Sequence, residues 1–331
     1  MQAKLDDIDR SLLSSVQAQF PLTREPFAAL GQRLGISSDQ VIQRLERLKA
    51  NGTIRLIGPV FNPGRLGYQT TLIATKVAAK QLHQATEIIS AHPRVSHCYE
   101  RDHDFNLWFT LAMPAAEDAE TESLELGSRI KAEITLSLPA VRVFKVGAYF
   151  NVGGTGASVP NAGVDSTVLL STQVDLSSSD RAVVNELQQD LPLTTRPFDL
   201  MSTHLSMDVD RFLGHCQALL QRGVMRRFSA SINHRSLGFV ANAMACWSVP
   251  PEIVETAGRK MAMLQEISHC YERKTKPLWP HNLYAMIHAR TRQTCHNIAR
   301  KASSESGLDR NGPVLLFSTR EAKKTRVRYP V

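Results

Sequence analysis

This chain is poorly provided for disulfide chemistry, membrane insertion and nucleotide binding. Its 331 residues include five cysteines, Cys98, Cys216, Cys246, Cys270 and Cys295, an odd number without a CxxC pair. That argues against a disulfide framework or a zinc site and suits a reducing compartment. No run reaches the roughly 18 apolar residues that a membrane helix requires, and the opening MQAKLDDIDR lacks the apolar centre of a signal peptide. A cytoplasmic location without membrane contact is therefore expected. GxGxxG, P-loop and Schiff-base lysine signatures are missing as well, so no organic cofactor is expected. Acidic residues are the scarcer charge: 31 Asp and Glu stand against 39 Lys and Arg, for a net charge of +8. Such a balance favours anionic partners such as nucleic acid, acidic lipid or a polycarboxylate.

What is present is a duplication. Ser96-His97-Cys98-Tyr99-Glu100-Arg101 returns unchanged as Ser268 to Arg273, Pro21-Leu22-Thr23 with Pro26-Phe27 returns as Pro192-Leu193-Thr194 with Pro197-Phe198, and Leu66-Gly67 returns as Leu237-Gly238. The chain is two copies of one unit, so a dimer's paired sites can reside in one molecule.

Each copy reads as a helical front and a mixed back. Leu5, Ile8, Leu12, Leu13 and Val16 have helical spacing; Phe27, Leu30 and Leu34 suggest a second helix stopped by Gly35; Ser37 or Ser38 can cap a third that runs to Gly52. With Thr53 to Ile57 following, the pattern is that of a winged helix-turn-helix. The back alternates as strand 71–77, helix 81–91, strand 95–101, strand 106–113, helix 115–134 and strand 141–150. The second copy gives 240–247, 251–264, 266–273, 283–288, 291–304 and 313–317. This is the βαββαβ order of a ferredoxin-like domain. The expected fold class is α+β, with helix-turn-helix domains at 1–62 and 172–234, α/β domains at 63–151 and 235–331, and a Gly/Ser-rich linker at 152–171.

On a strand, His97, Tyr99 and Arg101 share one face while Cys98 and Glu100 share the other, and His269, Tyr271 and Arg273 repeat the arrangement. Asn282, Tyr284, Met286 and His288 share a face of the next strand; the first copy has Asn106, Trp108 and Thr110 there, with His103 in the turn. A lone histidine in a sheet is more often a hydrogen-bonded structural residue, but a duplicated His-Tyr-Arg face favours a functional site. The cysteines read as small buried apolar groups, and Trp108, Trp247 and Trp279 as core at least as readily as stacking platforms. Lys323, Lys324, Arg326 and Arg328 read equally as a solvated basic tail or as an anion contact. In the first recognition helix Arg44, Arg47 and Lys49 are offset by Asp39 and Glu46; the second begins near Asp208 and Asp210, and acid there repels phosphate. DNA binding is not expected.

Helix-turn-helix followed by βαββαβ resembles the Lrp/AsnC regulators. Further motifs narrow the resemblance: Phe20 to Thr23 with Pro26-Phe27, His97 to Trp108, Asn233 to Gly238, His269 to Tyr271, Pro280 to Leu283, and Ser318 to Tyr329. Together these resemble the siroheme decarboxylase family, its two subunits fused, over essentially the whole chain. The resemblance implies removal of the C12 and C18 acetate carboxyls of siroheme to give 12,18-didecarboxysiroheme, on the route to heme d1. Iron would enter only as part of the substrate. In that chemistry a proton donor is needed, and His97, His103, His269, His281 and His288 are the candidates, with His97 and His269 first. Tyr99, Arg101, Tyr271, Arg273, Lys323, Lys324 and Arg326 are the candidates to hold the other carboxylates. A histidine could equally ligate the iron, and sequence does not separate the two roles. A homodimer is left open. The competing readings are a DNA-binding regulator and a non-catalytic tetrapyrrole carrier.

Overall fold

The computed structural model describes residues 5–147, 149–150, 173–308 and 312–331; the expected linker at 152–171 lies outside them. The first copy runs α1 (Asp7–Ala18), α2 (Pro26–Leu34), α3 (Ser38–Ala50), β1 (Ile54–Phe61), β2 (Tyr68–Lys76), α4 (Leu82–Ala91), β3 (Val95–Arg101), β4 (Leu107–Pro114), α5 (Ala119–Arg129) and β5 (Ile134–Val146). The second runs α6 (Ser178–Leu187), α7 (Pro197–His204), α8 (Val209–Gln221), β6 (Met225–Ile232), β7 (Ala241–Trp247), α9 (Val254–Met263), β8 (Ile267–Arg273), β9 (Leu283–Ala289), α10 (Arg292–Ser306) and β10 (Val314–Lys324).

The helical fronts form as their capping residues dictate. Asp6, Ser37 and Ser177 each close a capping box at the start of α1, α3 and α6. Pro26 and Pro197 open α2 and α7, and Gly35 ends α2 in the left-handed region at φ 68°. Leu12, Leu13, Phe27, Leu45, Val183, Phe198 and Phe212 are fully buried in one apolar core shared by both fronts. The wings β1 and β6 pair antiparallel, with Gly58 opposite Ser229 at the pseudo-twofold centre.

The α/β backs do not form two separate sheets. Each supplies four strands in the expected ferredoxin-like order, but the last strand of each continues past its own sheet into the other. β5 pairs with β2 over Ile134 to Pro139, then with β8 over Ala140 to Val146. β10 pairs with β7 over Val314 to Phe317, then with β3 over Ser318 to Lys324. The result is one closed antiparallel barrel, β10-β3-β4-β2-β5-β8-β9-β7. Helices cover its outside over two apolar cores that include Ile73, Ile89 and Phe109 on one side and Trp247, Met261 and Ile287 on the other. Trp108, Trp279, Tyr284, Leu138, Met244 and Cys246 form an inner cluster.

Three expected boundaries are corrected. The helix expected over 115–134 spans only Ala119–Arg129, capped by Asp118 and followed by Lys131 at φ 54°. The strand expected from residue 141 begins at Ile134, and the one expected to end at 317 continues to Lys324. Lys323 and Lys324 therefore belong to a barrel wall, not to a tail.

Candidate functional site inside the barrel

Strand alternation aims the duplicated residues inward. Arg101 Nη1 donates to the Leu316 carbonyl at 2.8 Å, with its guanidinium 5.3 Å from the Tyr99 ring centre. Arg273 Nη1 donates to the Leu138 carbonyl at 2.8 Å, with its guanidinium 4.8 Å from the Tyr271 ring and 5.6 Å from Tyr284. Neither arginine forms an ion pair among the described residues, and the Nε of each is buried without a hydrogen-bond partner. Burial first, and little compensation after it, pulls Arg101 down to about 10. Two enclosed cations without counter-ions are an unfavourable arrangement unless an anion joins them.

The histidines sit beside them. Ser96 Oγ lies 2.9 Å from His97 Nδ1, and Ser268 Oγ lies 3.1 Å from His269 Nδ1. Ser268 Oγ donates its one proton to the Met286 carbonyl at 3.2 Å, so it accepts from His269 Nδ1, and that imidazole carries its proton on Nδ1. Both rings stack on the following tyrosine, at 6.4 Å for His97–Tyr99 and 6.2 Å for His269–Tyr271. Burial, then Lys324, lowers His97 to about 4 and His269 to about 3. The two rings nonetheless keep partial accessibility, which fits side chains recessed in the barrel interior rather than facing bulk water.

Further groups enclose this space. Glu321 on β10 accepts from Arg55 Nη2 at 2.6 Å and from the Tyr99 hydroxyl at 3.3 Å. Burial raises its carboxyl, but Lys324 and Arg55 outweigh burial and hold it below the usual range. Lys324 Nζ lies 3.4 Å from His234 Nδ1, and the His234 and His288 ring centres are 4.5 Å apart. Phe150 packs against both rings, at 5.7 and 5.4 Å. Burial, then Lys324, takes His234 to about 3; burial, then His234, takes His288 well below its ordinary value.

The expected site residues thus divide. His97, Tyr99, Arg101, His269, Tyr271, Arg273, His288 and Lys324 converge on the interior. His103 and His281 lie at the opposite, hairpin end, with ring centres 5.4 and 4.7 Å from Trp279. Lys323 faces outward, donating to the His92 carbonyl at 2.8 Å, because strand neighbours alternate. Arg326 leaves the strand and donates to the Pro59 and Ser229 carbonyls at 2.8 and 3.0 Å, tying the wings together. Sequence reasoning passed over His234, Glu321 and Arg55 as site residues. His234 stood within a quoted motif, and its signal was a break in the duplication.

The duplication is broken just here. Lys324 faces His97 where Val146 faces His269, and Glu321 faces Tyr99 where Val143 faces Tyr271. His288 lies two residues beyond Met286, which faces His269; Ala112 lies two beyond Thr110, which faces His97. The N–H of Asn233 donates to Thr53 as that of Asn62 donates to Val224, so His234 corresponds to Pro63. The second copy therefore holds titratable groups where the first holds apolar ones.

On the helical front, Arg44 and Arg47 of α3 bind Asp9 at 2.7 and 2.6 Å, Arg44 also binds Asp6 at 2.8 Å, and Lys49 pairs with Asp190. These cations are already partnered within the protein. Among the described residues no helix is long and apolar enough to cross a membrane.

Comparison with known proteins agrees with this architecture. An AsnC-like ligand binding domain matches residues 65–145 and 236–323, and a siroheme decarboxylase NirDL-like helix-turn-helix domain matches 9–55 and 180–226. The chain is 38% identical to a siroheme decarboxylase of Hydrogenobacter thermophilus, over 96% of this chain and 93% of that protein. It is 34% identical to a siroheme decarboxylase NirDL subunit of Paracoccus pantotrophus, over 96% of this chain and 95% of that one. A siroheme decarboxylase beta subunit of Methanosarcina barkeri is 39% identical over 46% of this chain and 99% of its own length. A crystal structure of the siroheme decarboxylase NirDL superposes with a TM-score of 0.71 at 35% identity, covering 98% of this chain and 94% of the other; one in co-complex with an iron-uroporphyrin III analogue superposes equally well. With 38% and 34% identity over 96% of this chain and both halves of the duplication matched, the chain belongs to the siroheme decarboxylase family in its fused, two-copy form.

Proposed function

We propose that this chain decarboxylates siroheme at the C12 and C18 acetates, giving 12,18-didecarboxysiroheme on the route to heme d1. The observation that carries the reading is the uncompensated positive charge of Arg101 and Arg273 in a barrel interior lined by neutral imidazoles. A polycarboxylate supplies the missing counter-charge, and each arginine retains an unpaired Nε–H to offer it. Loss of CO2 from a pyrrole acetate leaves an electron pair on the exocyclic carbon, which a nearby acid must protonate. The apolar inner wall disfavours the charged form of the carboxylate that departs. Iron is a part of this substrate, and no step here requires an organic cofactor. The helix-turn-helix modules, their basic residues internally paired, serve in this reading as a scaffold that joins the two copies. Anaerobic incubation with siroheme and mass analysis of the tetrapyrrole tests the proposal. Successive loss of two CO2 is expected; siroheme recovered intact from a protein that binds it would point to a carrier instead.

A further inference from the structure

Four titratable groups of the second copy stand where the first has Val146, Val143, Pro63 and Ala112, and three of them are in sequence in space. Lys324 Nζ is 3.4 Å from His234 Nδ1. The His234 ring is 4.5 Å, centre to centre, from that of His288. His234 Nε2 and His288 Nδ1 are both buried and both without a partner. His234 is fully buried, whereas His288 keeps partial access to the interior. The two nitrogens are not hydrogen-bonded to each other, so a proton crosses between them only once one ring rotates; left static, both are costly.

We propose that Lys324 is the proton source for decarboxylation, passing its proton through His234 to His288, which delivers it to the tetrapyrrole. This rests on the decarboxylase reading and adds to it a route. Lys324 gives a proton to Nδ1 of His234, and the Nε2 proton of His234 moves to Nδ1 of His288 when rotation of the His288 ring brings those two atoms within hydrogen-bond distance. The Nε2 proton of His288 goes to the exocyclic carbon as its bond to the carboxyl breaks. The electron pair of that bond forms the new C–H bond, CO2 departs, the neutral amine of Lys324 recovers a proton from water, and both imidazoles return from the Nδ1–H to the Nε2–H tautomer, through proton exchange with water, before the next acetate reacts.

The electrostatics of the site agree. Burial keeps the imidazoles neutral, so none of them stores a proton near neutral pH. Lys324 does, and burial lowers it to about 8, where it can part with one. The groups facing it are Glu321 on its own strand, Arg55 on β1, Arg235 and His234 on the turn after β6, and His97, His269 and His288 on β3, β8 and β9. Of these only Glu321 is anionic, so it is the group that sustains the ammonium form. Substrate carboxylates can only raise the lysine further.

The test is the rate of CO2 loss from saturating siroheme against pH, with siroheme affinity measured alongside. The wild-type rate should fall along an alkaline limb at about pH 8 or above, where Lys324 loses its proton. Lys324→Arg keeps the charge but does not release a proton; it should bind siroheme much as wild type does and turn over about 10²-fold more slowly or worse, without that limb. Glu321→Gln should move the limb to lower pH. A Lys324→Arg rate near wild type with the limb intact overturns the relay. Should that variant fail to fold or bind, an unmoved limb in Glu321→Gln overturns it alone. A wild-type chain that releases no CO2 defeats the decarboxylase reading and the relay together, whereas an active wild type puts only the relay at stake.

Discussion

At the scale of single residues, the interior is defined by imidazoles that burial keeps neutral well below their ordinary range. His97, His234 and His269 have protonation equilibria depressed by burial to about 4, 3 and 3. In the unfolded chain they bind protons near pH 6.5, so between that pH and about 3 to 4 the unfolded state holds more protons than the folded one. Stability is then present above pH 6.5 and is lost as pH falls through this window, by up to about 1.4 kcal/mol per pH unit for each histidine. Denaturant midpoints at pH 7.5 and 5.5 should show the fall, and a bound polycarboxylate tetrapyrrole should lessen it; equal midpoints would mean the rings are not desolvated. The arginines make a complementary prediction. Arg101→Ala and Arg273→Ala should each weaken siroheme binding by about 1.5–3 kcal/mol, the range for a hydrogen bond to a charged group. Unchanged affinity and turnover in both would make them structural. The inward set His-Tyr-Arg was legible in the sequence because strand alternation is local and the motif is repeated. His234 was not, because it sits in a short turn and meets Lys324 only through the tertiary fold.

At the scale of elements, β5 and β10 bind the two copies together. Each is a strand of its own sheet for half its length and of the other sheet for the rest. Phe144, on the far half of β5, packs against Gly258 of α9, where an added Cβ would meet the ring at 2.2 Å. Gly258→Ala should therefore overpack this junction and cost about 1–3 kcal/mol, read as a lower Tm; an unchanged Tm would show that the strand end has room to shift. Sequence pattern placed most elements, and its failures have identifiable causes. α5 ends near a left-handed Lys131, a position more often filled by glycine, so nothing marked the stop. Beyond Phe317, β10 has Ala322 as its single apolar residue: Arg320 pairs outward with Glu87 and Glu100, while Glu321 pairs inward with Arg55. Without apolar alternation such a strand resembles a basic tail.

At the scale of the whole molecule, duplication produces one interior, not two. The repeat was visible at once, and it gave the number of helix-turn-helix and βαββαβ units. Closure into a single barrel was not visible, because pairing of β3 with β10 and of β5 with β8 joins residues more than a hundred positions apart. The departures from symmetry are concentrated at Lys324, Glu321, His234 and His288, which gives one chain two unlike walls around a shared site. A structure of this chain with iron uroporphyrin bound tests the placing of substrate at that site most directly. The macrocycle should lie inside the barrel with a carboxylate within hydrogen-bond distance of Arg101 or Arg273; a macrocycle seated on α3, against Val41 to Lys49, would contradict it.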